Sequence, residues 1–133
     1  MQKKQFQSLL TMAKTFYEID SERSDFWRGF QRGLRRLYHG ENFVTDEEHE
    51  QCINCARGEY RKQLQTGYRA GFYRDQYRLD SQQDLHPLRK LLKLNTADIG
   101  DIAAVSPRTV EGWEQGRSMP DSALQLIRNH LML

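Results

Sequence analysis

Apolar side chains recur along this chain at spacings of three and four, the period of one helical face and incompatible with strand alternation. Phe6, Leu9, Leu10, Ala13, Phe16 and Tyr17 mark a first helix over about residues 5–19. The polar run 20–25 offers several N-caps, after which Phe26, Trp27, Phe30, Leu34 and Leu37 fall on one side of a second helix, with Arg28, Arg32 and Arg35 opposite. Gly40, following His39, supplies its left-handed stop. Thr45 with Glu48 three residues on reads as a capping box. The third helix then carries Ile53, Ala56, Tyr60, Leu64, Gly67 and Gly71 and is expected to run to about Arg78, with Gly58 as its candidate break.

Helices two and three echo one another in Arg28-Gly29-Phe30-Gln31-Arg32-Gly33-Leu34 and Thr66-Gly67-Tyr68-Arg69-Ala70-Gly71-Phe72. Glycine inside a helix costs roughly 1 kcal/mol relative to alanine. Two pairs at i, i+4 beside aromatics therefore point to close helix approach, within the chain or against a second copy; the alternative is a loop around the second pair.

Residues 79–85 lose both aromatics and periodicity ahead of Pro87, which places a domain boundary between a helical region over residues 1–80 and a second domain over 85–133. The second domain holds four short helical patterns. One covers 86–94; Thr96 is the expected N-cap of 97–104; Ser106 caps a helix with Pro107 at its first position, running to Gln115; and Pro120-Asp121 opens 122–131. The turn Ala104-Val105-Ser106 is short enough to set two helices at the steep angle of a helix-turn-helix. In the helix after it, Val110 and Trp113 share a side with Ile99, Ile102, Ala103 and Val105, leaving Arg108, Thr109, Glu111, Gly112 and Gln115 to point elsewhere. Arg pairs with guanine N7 and O6, Gln with adenine N6 and N7, and Glu accepts from cytosine N4, so this face suits a major groove. Thr96, Ser106 and the amides opening the two helices, with Arg117 after Gly116, are placed to hold phosphates.

From Leu88-Arg89-Lys90-Leu91-Leu92 through Val105-Ser106-Pro107-Arg108-Thr109-Val110-Glu111-Gly112-Trp113-Glu114-Gln115-Gly116-Arg117 to Pro120, the chain resembles the phage-repressor-like XRE class of helix-turn-helix domains. It is most similar to those of HigA- and MqsA-type antitoxins, whose recognition helices also end in Trp-Glu-x-Gly-Arg followed by Pro. The resemblance covers about a third of the chain and does not reach residues 1–84. It implies a four- or five-helix lambda-repressor-like domain that binds double-stranded DNA. It also implies that Arg89 and Glu114 form the pair tying the first helix to the end of the recognition helix. Ala97 stands where the family commonly has Gln, which removes one expected phosphate or base contact.

Charge adds no independent argument for DNA. Residues 1–84 carry 14 Lys and Arg against 13 Asp and Glu, residues 85–133 carry 6 against 5, and the net charge is +2. Attraction to phosphates must come from placement. Near-neutrality also favours a homodimer, since two recognition helices one helical turn apart multiply discrimination. Arg28, Arg32, Arg35 and Arg36 form a basic face, but the nearby acidic run Asp46-Glu47-Glu48-Glu50 offers charge partners, and a solvated ion-pair surface is the favoured reading over a phosphate contact.

His49, Cys52 and Cys55 lie along one stripe of the third helix and are the candidates for a metal or redox site. Structural zinc usually draws paired motifs from separate elements, so no metal is expected, nor any cofactor. No phosphate loop, nucleophile elbow or triad pattern is present, and an enzyme is not expected. No window approaches the roughly 18 apolar residues of a membrane span, and the start Met1-Gln2-Lys3-Lys4-Gln5-Phe6 does not read as a signal peptide. The expectation is therefore an all-α, cytoplasmic, dimeric transcriptional regulator, a repressor, with residues 1–80 serving for dimerisation or partner binding. The alternatives are an antitoxin neutralising a toxin through residues 1–80, and an interaction adaptor that no longer binds DNA.

Overall fold

In a computed structural model, which describes residues 1–54 and 59–133 apart from the side chains of 59–61, every regular element is helical. The chain divides into two compact units, Met1–Gln76 and Tyr77–Leu133. Among the described residues no helix is long and apolar enough to cross a membrane.

In the first unit, α1 (Lys3–Ile19) lies on α2 (Ser24–His39) through Phe6, Leu9 and Ala13. Phe6 stacks on Tyr38 at 4.2 Å and Phe16 on Trp27 at 4.8 Å between ring centroids. The buried indole N–H of Trp27 donates to Asp20 at 3.1 Å, so the polar connection also anchors the core. Over the stretch expected to hold the third helix, the described residues form α3 (Asp46–Asn54) and α4 (Glu59–Phe72). The candidate break at Gly58 lies outside the described residues. Instead of reaching Arg78, α4 stops at Phe72. Residues 73–76 are half-buried or exposed and turn on a Gln76 N–H to Tyr73 carbonyl bond of 2.8 Å; without an apolar face to bury, packing no longer sustains the helix.

The glycine echo is a crossing within the chain. A Cβ on Gly29 would collide with the Leu64 carbonyl and one on Gly33 with the Tyr68 carbonyl; reciprocally, Gly67 faces the Phe26 carbonyl and Gly71 that of Phe30. Backbone meets backbone at four points, with Phe26, Phe30, Leu34 and Tyr68 fully buried around the seam. Arg36 is 8% exposed, donating to the Phe43 carbonyl (3.2 Å), the Val44 carbonyl (2.8 Å) and Asp46 (3.1 Å), which closes the loop between α2 and α3.

The second unit comprises α5 (Leu85–Leu91), α6 (Thr96–Ala103), α7 (Pro107–Glu114) and α8 (Asp121–His130). Leu85, Leu88, Leu92, Ile99, Val110, Ile127 and Leu131 form its core. The stretch read from sequence as a boundary is part of this unit. Leu79 is 1% exposed, its carbonyl accepts from Arg128, and Gln82 opens a single 3-10 turn, 82–84, that leads into α5.

Candidate nucleic-acid interface

The start of α6 is capped by Asn95, not Thr96. Asn95 has extended backbone; its side chain accepts the Asp98 N–H at 2.8 Å while Asp98 accepts the Asn95 N–H at 2.9 Å. Asn ranks above Thr as an N-cap, and an acid at the third helical position makes the bonding reciprocal. Thr96 is thereby moved into the first turn, where its hydroxyl lies 3.5 Å from Glu111 of α7.

After α6, Ala104 adopts the left-handed conformation (φ 58°, ψ 43°) and Val105 N–H bonds to the Gly100 carbonyl at 2.9 Å. A Cβ on Gly100 would come within 2.6 Å of the Val105 carbonyl, so this turn needs glycine at that point of α6. Ser106 then caps α7, accepting the Thr109 N–H at 3.3 Å, and its hydroxyl lies 3.1 Å from that of Thr109. Pro107 occupies the first position, where a missing N–H loses nothing.

Val110 is fully buried and Trp113 is 4% exposed, which pins one side of α7 to the core. Arg108, Glu111 and Gln115 face solvent, as does Arg117 beyond the helix, while Thr109 is half-buried with its hydroxyl turned toward Ser106. Gly112 does not join the exposed face as expected: it is buried. A Cβ there would meet Arg117 Cδ at 2.9 Å, because the Arg117 side chain lies against α7 and the Arg117 backbone N–H bonds to the Gly112 carbonyl. The structure thus gathers Thr96 with Glu111, Ser106 with Thr109, and Arg117 with Gly112.

The C-terminal end of α7 is clamped. Arg89 of α5 holds Glu114 in a bidentate pair, Nε to Oε1 at 2.7 Å and Nη2 to Oε2 at 3.1 Å, with both side chains 11% exposed. His86 Nδ1 adds a third contact to Oε1 at 2.9 Å. Burial raises the Glu114 pKa, but the hydrogen bonds from Arg89 and His86 outweigh it and hold the carboxyl below the usual carboxylate range. The Gln82 amide bonds to the carbonyls of Trp113 (2.9 Å) and Arg117 (2.6 Å) and accepts the Met119 N–H (3.0 Å). Sequence reasoning passed over Asn95, His86 and Gln82. The Asn-x-x-Asp box around Asn95 was legible locally, whereas the Gln82 contacts span more than 30 residues and leave no local signal.

The metal or redox candidates belong to the first unit. His49 Nδ1 bonds to the Tyr68 hydroxyl at 2.6 Å and its ring meets Phe72 edge-on at 4.6 Å; Cys52 is buried; Cys55 lies outside the described residues. Burial, and after it the charge of Arg36, lowers the His49 pKa, while burial pushes that of Tyr68 well up. Among the described residues no three His, Cys, Asp or Glu side chains gather as metal ligands. No protein-family model, curated protein or solved structure matches this chain.

Proposed function

We propose that this protein is a sequence-specific, duplex-DNA-binding transcriptional regulator, a repressor, in which α6, the Ala104 turn and α7 act as a lambda-repressor-like helix-turn-helix. The observation that carries this reading is the two-sidedness of α7: a back buried through Val110 and Trp113, and a front presenting Arg108, Glu111 and Gln115 to solvent. In this reading α7 enters the major groove, Arg108 and Gln115 read base edges, and Arg117, Ser106, Thr96 and the first amides of α7 hold phosphates. Thr109 takes a positioning role through Ser106 as well as an apolar contact through its methyl. The clamp of Arg89, His86 and Glu114 fixes the angle at which α7 leaves the unit.

The functional form is a homodimer, because one short helix reads only a few base pairs. Met12 and Ile19, seven residues apart on α1 and 46% and 71% exposed, support a contact with a second copy. Binding of Arg108→Ala/Thr109→Ala to a fragment carrying the chain's own promoter tests the proposal. A lost base contact is worth about 1–3 kcal/mol, so affinity should fall at least about tenfold per half-site while helicity and melting temperature hold. If the unaltered protein shows no salt-sensitive duplex binding, the adaptor reading replaces this one.

A further inference from the structure

We propose that a concave basic site between α1 and α2 binds the phosphate group of a small phosphomonoester. The cleft measures about 270 Å³ and is lined by Lys14, Tyr17 and Glu18 of α1 and by Arg28, Arg32 and Arg35 of α2. The three arginines stand at i, i+4 and i+7, hence on one face of the helix. The acidic residues after α2 do not neutralise this face as a whole. Arg36 turns inward to Asp46, and Arg32 pairs with Glu48 at 2.6 Å. Lys14, Arg28 and Arg35 have no carboxylate within 4 Å among the described residues; Arg35 has only the Phe43 ring, 5.7 Å away.

Cations that outnumber the carboxylates around one hollow repel one another, and an anion relieves that repulsion. Among the described residues, four cations against Glu18 and the Glu48 shared with Arg32 leave the cleft two charges positive, the complement of a phosphomonoester dianion. Guanidinium forks match phosphate oxygens bidentately, and the Tyr17 hydroxyl adds a donor beside them. The hollow shape favours one compact group over a nucleic-acid backbone, which needs an extended track of cations.

The test is a titration of the full-length protein with phenyl phosphate, followed by NMR or calorimetry. Saturable binding is expected near or below ~1 mM, and Arg28→Ala/Arg35→Ala should weaken it by about tenfold or more. Lys3→Ala/Lys4→Ala removes the same charge outside the cleft and should leave affinity within about twofold if placement, not net charge, governs binding. Binding should strengthen as pH rises past about 6, where the second phosphate proton leaves. Arg28→Gln/Arg35→Gln serves if the alanine variant loses helicity. Arg108→Ala/Thr109→Ala should bind phenyl phosphate normally, which separates this site from the α7 proposal. Absence of saturation, an equal loss in the Lys3/Lys4 variant, or a cleft variant that loses duplex DNA affinity but keeps phenyl phosphate would overturn the assignment.

Discussion

Glu114 carries the tightest chemistry at the residue scale. Its folded-state pKa lies below the unfolded value because two bonds from Arg89 and one contact from His86 outweigh the cost of burial. In the window between those values the unfolded chain binds more protons, so stability rises with pH there, is fully present above the ordinary carboxylate range, and is lost as pH falls through the folded-state value. Glu114→Gln keeps the shape and removes the charge; it should lower unfolding stability at pH 7 by about 1–3 kcal/mol, with the deficit narrowing toward pH 3. Urea unfolding at a series of pH values measures this, and a deficit that stays constant with pH argues against an ionised Glu114. The Arg89–Glu114 pair was implied by the family resemblance alone. Its reach to His86, three residues earlier on the same turn, was not. Gly112 is buried where an exposed position is expected because a residue's angle on a helix does not say which neighbour's side chain lies across it, whereas Thr96 yields the cap to Asn95 for a local reason, the box that Asn95 forms with Asp98.

Among the elements, the crossing of α2 with α4 depends on glycine most directly. Gly67 pays the helix penalty so that the Phe26 carbonyl can approach, and a methyl there must push two backbones apart. Gly67→Ala gains roughly 1 kcal/mol of helix propensity but should lose more than that in packing, where overfilling typically costs about 1–3 kcal/mol and rigid backbone on both sides leaves little room to relax. A net fall in melting temperature is expected; an unchanged or raised one would mean the helices separate freely. The glycine spacing announced a close approach but was equally compatible with a second copy as partner, since a repeated i, i+4 pattern does not say which surface it meets. The short helices α5 to α8 were more legible, because Pro107, Ser106 and Pro120 punctuate them locally.

For the whole molecule, the division into two units falls earlier than composition suggested. Residues 79–85 read as a domain boundary because they lack aromatics and periodicity, yet Leu79 is buried and Gln82 ties the C-terminal end of α7 to the loop that leads to Met119. A fragment of residues 77–133 should unfold cooperatively. One of residues 85–133 loses a buried leucine worth about 1.5–3 kcal/mol and four hydrogen bonds, three of Gln82 and one from Arg128 to the Leu79 carbonyl, of about 0.5–1.5 kcal/mol each, and should be partly unfolded at 25 °C. Circular dichroism melts of the two fragments decide it; equal stability would return the boundary to residue 85.

Periodicity, caps and proline placement are properties of neighbouring residues, so the all-helical class, the start and stop of most helices and the two faces of α7 could be read from the chain alone. Which helix the glycines meet, which side chain covers Gly112, which cations keep a carboxylate partner and which are left around a hollow, and how far the second unit extends all depend on contacts between residues remote in sequence. Those contacts exist only once the chain is folded, because the energy of a buried amide or an ion pair is set by what surrounds it and not by the residues beside it in the chain.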